Sequence, residues 1–263
     1  MKYIPLSTED HRGFGYHSDK PYAFSQAIDF FPLTPQEIPR MLGSLPLVFR
    51  KTEKGYDFGL PAGILSRLNT LIHPENGKFM LNYVPAVLRR YPFNLTEISD
   101  SKVAMMVLDS EEGFAAGRGE ALVGLDGVLT EKGQSVQKFL YGILHYLKMN
   151  IALSEQIADA GLLTPIEFTV KNPEEKPGAQ HLRKDLYRID EKKLAHLDAA
   201  TLKMLTDSEA MVLVYANVLS MAHLPRLKEM VEVFAKLKAN SKQAPQVDLE
   251  KMFGDEDSDV LKF

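Results

Sequence analysis

The sequence predicts an α+β fold: a mixed, mostly antiparallel sheet with helices packed on one face, an irregular N-terminal arm and a flexible acidic C-terminal tail. Three observations lead there. Short apolar or alternating runs punctuated by Gly, Pro and Asn fill residues 40–130, the signature of strands joined by turns. Residues 135–160 switch to apolar positions at helical spacing. A second strand-like pair over 164–190 then leads into two helical stretches.

The chain has 263 residues, 45% hydrophobic and 25% charged. A chain of this length buries roughly three quarters of its unfolded surface, so one domain over 1–238 needs no staple. There are no cysteines, which removes disulfides, Cys-ligated metals and thiol nucleophiles. The net charge of −4 gives no basic excess for a nucleic-acid footprint. Glu9, Asp10, His11 and Arg12 occupy the place of a signal peptide's apolar core. The longest apolar run, Ala210 to Leu219, is broken by Asn217 and falls short of the roughly 20 residues a span requires. A cytoplasmic protein with no membrane span is expected.

Taken in order, residues 1–35 are rich in Pro, His and aromatics (Phe14, Tyr16, Tyr22, Phe24, Phe30 and Phe31), and read as an extended arm packed on the body. Thr34-Pro35-Gln36-Glu37 has the form of a helix start, with Thr34 as N-cap, Pro35 first and Glu37 closing a capping box. Pro39 keeps that helix short. Strands are expected at Leu45–Phe49 and Tyr56–Leu60, with a hairpin turn at Asn76-Gly77. Pro85 and Pro92 bracket a segment with room for a turn or two of helix. Val103–Leu108 is apolar throughout, as in a strand buried on both faces. Gly124 to Gly127 makes a second hairpin between Leu122-Val123 and Val128-Leu129. The helix over 135–160 ends at Gly161, a C-terminal cap residue. Ile166, Phe168 and Val170 alternate, as do Tyr187 and Ile189, which gives the strand pair. Helices follow at 191–206 and 209–237, the second interrupted near Pro225. Residues 239–263, with Asp255-Glu256-Asp257-Ser258-Asp259, are too polar to bury themselves.

Tyr83-Val84-Pro85-Ala86-Val87-Leu88-Arg89-Arg90-Tyr91-Pro92-Phe93 resembles the YVPA…RRYPF signature of the SapC family of bacterial proteins. Pro5-Leu6 with His11, Pro46-Leu47-Val48-Phe49, Gly119-Glu120-Ala121-Leu122 with Asp126-Gly127, Ile189-Asp190-Glu191-Lys192-Lys193-Leu194 and Tyr215-Ala216-Asn217-Val218-Leu219-Ser220 line up in the family's order. Asn217 stands where the family commonly has His. Met106-Val107-Leu108-Asp109 lacks the cysteine often found there, so thiol chemistry at that position does not apply. The resemblance covers about residues 1–236. Members are often encoded beside TonB-dependent receptors, tryptophan-halogenase-like flavoproteins and cupin-like proteins. This implies an accessory role around nutrient uptake or the modification of a small molecule or peptide, with a protein of such a system as partner.

Among the residues themselves, Arg89, Arg90 and Tyr91, with Tyr83 and Arg118, are the candidate ligand-binding set. A guanidinium fork matches a carboxylate or phosphate, and a tyrosine beside it stacks or donates. Adjacent side chains diverge, so one arginine is expected inward and the other outward. The competing reading is structural: an interior arginine–carboxylate pair fixing the turn, with Asp109, Glu111 or Glu120 as partner. Asp109, Glu111 and Glu120 are also the catalytic candidates, since they follow a buried strand where desolvation raises a carboxyl pKa. In that enzyme reading a divalent metal held by oxygens would assist. No phosphate-loop or nucleophile-elbow motif occurs. His11 and His17, with Asp10 and Asp19, are the one histidine cluster and the candidate metal ligands. No cofactor is predicted. The favoured reading is a non-catalytic protein that binds a small anionic ligand or peptide.

Overall fold

The computed structural model describes residues 2–17, 22–99, 102–109, 114–168 and 182–240. Its strands are β1 (Tyr3–Pro5), β2 (Phe14–Tyr16), β3 (Phe30–Pro32), β4 (Val48–Thr52), β5 (Gly55–Pro61), β6 (Phe93–Ser99), β7 (Lys102–Leu108), β8 (Phe114–Ala116), β9 (Leu163–Pro165) and β10 (Leu186–Ile189). Its helices are α1 (Ile38–Met41), α2 (Ala86–Arg89), α3 (Glu131–Asp159), α4 (Glu191–Ala195), α5 (Ala199–Asp207), α6 (Met211–Ser220) and α7 (Arg226–Asn240). The expected α+β class holds, and the strands are distributed over three sheets rather than one. The described residues form two compact units, each made from two stretches: those within 1–21 with 86–147, and those within 22–85 with 148–240.

In the first unit β7 lies between β1 and β6, antiparallel to both. The core consists of Phe93, Leu95, Met105, Val107, Phe114, Leu122 and Leu140. The Val103–Leu108 segment is therefore a central strand, but it is not buried on both faces. Met105 and Val107 point into the core and Val103 packs against it, whereas Ala104 and Met106 on the opposite face stay partly exposed and only Leu108 of that face is buried. The N-terminal segment is extended as expected, and three of its pieces are paired strands rather than an irregular arm. Gly15 of β2 sits so close to neighbouring backbone that a Cβ there would fall 2.0 Å from the Arg118 carbonyl oxygen.

The 124–127 turn closes with the Gly124 N–H donating to the Val128 carbonyl at 2.7 Å, and Gly127 adopts φ +79°. Thr130 then starts α3: its Oγ1 accepts from the Gly133 N–H at 3.1 Å and donates to the Ala121 carbonyl at 2.7 Å. This cap places the helix start at Glu131, four residues ahead of the expected start at residue 135. Gly161, at φ +71°, ends it.

The second unit carries the five-stranded sheet β3-β5-β4-β10-β9, antiparallel at every pairing. The Thr34 box forms as the sequence predicts, with Glu37 Oε2 accepting from the Thr34 N–H at 2.9 Å and from its hydroxyl at 3.0 Å. β4 starts at Val48, not Leu45. Pro46 has no N–H, and Leu47 gives its backbone groups to Ser220 and Asn217 instead of a strand. The expected 191–206 helix is two helices. Asp198 breaks it by capping α5, its carboxylate accepting from the Ala200 and Thr201 N–H groups at 3.0 Å each. Glu209, at φ +68°, delays the next helix to Met211. Val170, the 173–178 loop and the acidic tail from residue 241 lie outside the described residues.

Candidate functional site

α2 is one turn long, and the chain leaves it through tight bonds: the Arg90 N–H donates to the Ala86 carbonyl (3.0 Å) and the Phe93 N–H to the Arg90 carbonyl (2.7 Å). Ala86 and Leu88 are buried, which turns the next two residues in different directions. Arg89 is exposed, its guanidinium carbon 5.1 Å from the centre of the Phe139 ring. Arg90 is half-buried. Inward and outward arginines are thus assigned.

Among the described residues no carboxylate pairs with Arg90 and its side chain makes no hydrogen bond. Burial pushes its pKa below the ordinary arginine value, and the phenol of Tyr3 pulls the other way. Burial likewise raises the Tyr3 pKa, with Arg90 opposing, so Tyr3 is a neutral O–H donor at neutral pH.

Strand register explains why these groups meet. Tyr3 is paired with Leu108, whose N–H donates to the Pro92 carbonyl at 3.0 Å. The next amide, Asp109, donates to the Lys2 carbonyl at 2.9 Å. One end of the three-stranded sheet therefore gathers Lys2, Tyr3, Arg90 and Asp109. Lys2 Nζ lies 2.9 Å from Asp109 Oδ2 in an exposed pair, a contact of small energetic weight. The Tyr91 ring meets Tyr16 edge-on at 5.8 Å, and Tyr16 meets Phe93 at 6.3 Å.

The remaining candidates are placed as follows. Glu120 is exposed, 3.7 Å from Lys132. Arg118 is exposed on the neighbouring turn. Glu111 lies outside the described residues. Asp109 and Glu120 are taken by lysines, so neither supplies an interior partner to the arginines. Tyr83 belongs to the second unit, where its hydroxyl donates to Glu37 Oε1 at 3.1 Å and Arg40 lies over its ring at 5.2 Å. His11 is buried; its Nδ1 accepts from the Ser7 N–H at 2.9 Å and its ring packs edge-on against Phe14 and Phe114. That environment is a packed turn. His17 is exposed, and Asp19 lies outside the described residues. No group of three or more His, Asp or Glu among the described residues has metal-binding geometry. No described helix is long and apolar enough to cross a membrane.

Sequence reasoning missed an ionic cluster in the second unit. Arg183, its side chain 1% exposed, donates Nε and Nη2 to the two Asp185 carboxylate oxygens at 2.9 and 2.6 Å, and Nη1 to the Asp29 carbonyl at 2.5 Å. Arg50 forks onto Asp57 at 3.1 and 2.6 Å. The Phe30 ring has Arg50 at 4.3 Å and Arg183 at 5.7 Å. Burial drives the Asp185 carboxyl upward, but the bonds and charge of Arg183, its own amide and Arg50 together hold it below the usual range. The Arg183-Lys184-Asp185 spacing, two residues apart in an extended stretch, was the available signal.

The SapC family model matches residues 6–227. The chain belongs to the SapC family. No curated protein and no solved structure matches it. Three of the SapC landmarks meet at one buried side chain. Asn217 Nδ2 donates to the Leu47 carbonyl at 2.7 Å, and its Oδ1 accepts from the Ile189 N–H at 2.8 Å. Ser220 Oγ, from the same landmark as Asn217, accepts from the Leu47 N–H at 2.9 Å. The 46–49, 189–194 and 215–220 blocks of this SapC chain are therefore a structural clasp. The 86–93 part of its signature carries the half-buried Arg90.

Proposed function

We propose that this SapC protein is a non-catalytic binding protein that recognises an anionic small molecule or peptide at Arg90, with Tyr3 and Tyr91 beside it. It would act in the cytoplasm as an accessory to an uptake or halogenase- and cupin-associated system, with a protein of that system as partner. One observation carries the reading: Arg90 is half-buried, yet no carboxylate among the described residues pairs with it. A desolvated guanidinium is costly unless its donors are matched, and an incoming anion is what matches them. Tyr3 adds an O–H donor that carries no charge of its own. The enzyme reading has less support, because Asp109 and Glu120 are exposed and engaged by Lys2 and Lys132.

The test is thermal denaturation across a panel of mono- and dianions and acidic peptides. A ligand present at 100 times its Kd stabilises by about 2.7 kcal/mol, or about 5 °C for a chain of this size. That gain is expected for the wild type and absent in Arg90→Ala. An equal gain in a folded Arg90→Ala variant would refute the site.

A further inference from the structure

We infer that α6 is the contact helix of a symmetric dimer: its outward seam, Val212, Tyr215, Leu219 and Ala222, packs on the same seam of a second copy turned end for end. This surface belongs to the second unit, and its case is separate from that of Arg90.

The fold treats the two faces of α6 differently. Inward, Met211, Leu213, Val214, Ala216, Asn217 and Ser220 are buried, and the last two make the clasp to Leu47 and Ile189. Outward, Val212, Tyr215 and Leu219 are 48%, 57% and 67% exposed, and Ala222, just past the helix end, is exposed too. No Asp, Glu, Lys or Arg stands between Glu209 and Arg226. A surface helix ordinarily carries charge on its solvent side, whereas one that is apolar all round is a buried one. Three large apolar side chains along one line in water mark a face built to be covered.

The spacing points to what covers it. The exposed positions 212, 215, 219 and 222 advance by three, four and three residues, the narrow seam that two helices bury against each other. Those steps read the same from either end. A two-fold axis level with Asn217 therefore sets Tyr215 against Leu219 of the second copy and Val212 against its Ala222, with every pair made twice. Such a contact needs no charge to match, and α6 offers none. Other occupants fit less well. Residues 241–263 hold Met252-Phe253 among Asp248, Glu250, Asp255, Glu256, Asp257 and Asp259, and α6 has no basic group to meet those acids. A membrane surface likewise selects helices with Lys or Arg along the polar face.

Size sets the strength. The three large side chains leave on the order of 300 Å² uncovered per chain, against about 800 Å² per partner in a standard stable interface. A reversible, concentration-dependent dimer follows.

Sedimentation velocity of the full chain from about 5 to about 500 μM tests this. The wild type should move from the mass of one chain to that of two, while Leu219→Glu and Tyr215→Lys each stay single. An equimolar mixture of those two variants should associate again, at least about tenfold more tightly than either alone, since the two-fold axis sets the new carboxylate against the new ammonium. Both side chains face water, so the variants should keep the wild-type circular dichroism. Where one does not, Leu219→Ala, which removes contact area and adds no charge, is the measurement and should weaken the dimer at least about fivefold. A wild type that stays single at the highest concentration overturns the inference, as does a dimer that the Leu219 substitutions leave intact. A mixture no tighter than its parts overturns the end-for-end pairing.

Discussion

Replacing Asp185 with alanine isolates the cost of an abandoned buried charge. Arg183 keeps a side chain 1% exposed, while Asp185, at 39%, still touches water. Removing one partner of a fully buried pair costs about 3–5 kcal/mol. The exposure of Asp185 and the surviving bond from Arg183 to the Asp29 carbonyl reduce this to about 2–3 kcal/mol. For a chain of this length that is a fall in Tm of about 4–6 °C. Urea unfolding followed by far-ultraviolet circular dichroism suits a chain with no tryptophan. Arg183→Met combined with Asp185→Ala removes both charges and keeps apolar bulk beside Phe30, so the double variant should recover to within about 1 kcal/mol of wild type. The pH dependence follows from the same pair. The folded carboxyl lies below its unfolded value, so its share of stability is complete above about pH 4 and drains away as pH falls through its own depressed pKa. The gap between wild type and Asp185→Asn should therefore narrow below about pH 4. A single variant within 0.5 kcal/mol of wild type, or a double variant less stable than the single, would refute the reasoning.

Asn217→Ala leaves the Ile189 N–H buried without its partner and the Leu47 carbonyl with only the Ser220 hydroxyl at 3.5 Å, and should cost about 2–3 kcal/mol in urea unfolding. A loss under 1 kcal/mol would mean the clasp is incidental. Gly15→Ala forces a Cβ into the Arg118 carbonyl at 2.0 Å, so it should destabilise the first unit by about 3 kcal/mol. Hydrogen exchange of the β2 and β8 amides reads that unit directly, and unchanged protection there would count against the close approach.

Local chemistry was legible in the sequence. The Thr34–Glu37 box, the turns at Asn76-Gly77 and Gly124–Gly127, and the long helix ending at Gly161 all depend on neighbours within a few positions, where spacing carries the signal. The divergence of Arg89 and Arg90 followed from adjacency alone, and the SapC resemblance from the 83–93 block. Partners distant in the chain were not legible. Lys2 meets Asp109 across 107 positions, and Arg183 reaches the Asp29 carbonyl across 154. Nothing local to Tyr3 announces that strand pairing will bring it beside Arg90. Short strands such as β1 and β2 also escaped, since three residues cannot show a period. The helix break at Asp198 was readable in principle, because an aspartate accepting from amides two and three positions on is a cap.

Side-chain nitrogen NMR of the arginine Nε–H groups, titrated with the anions of the panel, tests the central claim most directly. The Arg90 resonance should shift saturably, while those of Arg183 and Arg50 stay fixed by their Asp185 and Asp57 forks. A still Arg90 signal, or one already showing a carboxylate-bonded guanidinium before any anion is added, would contradict the account.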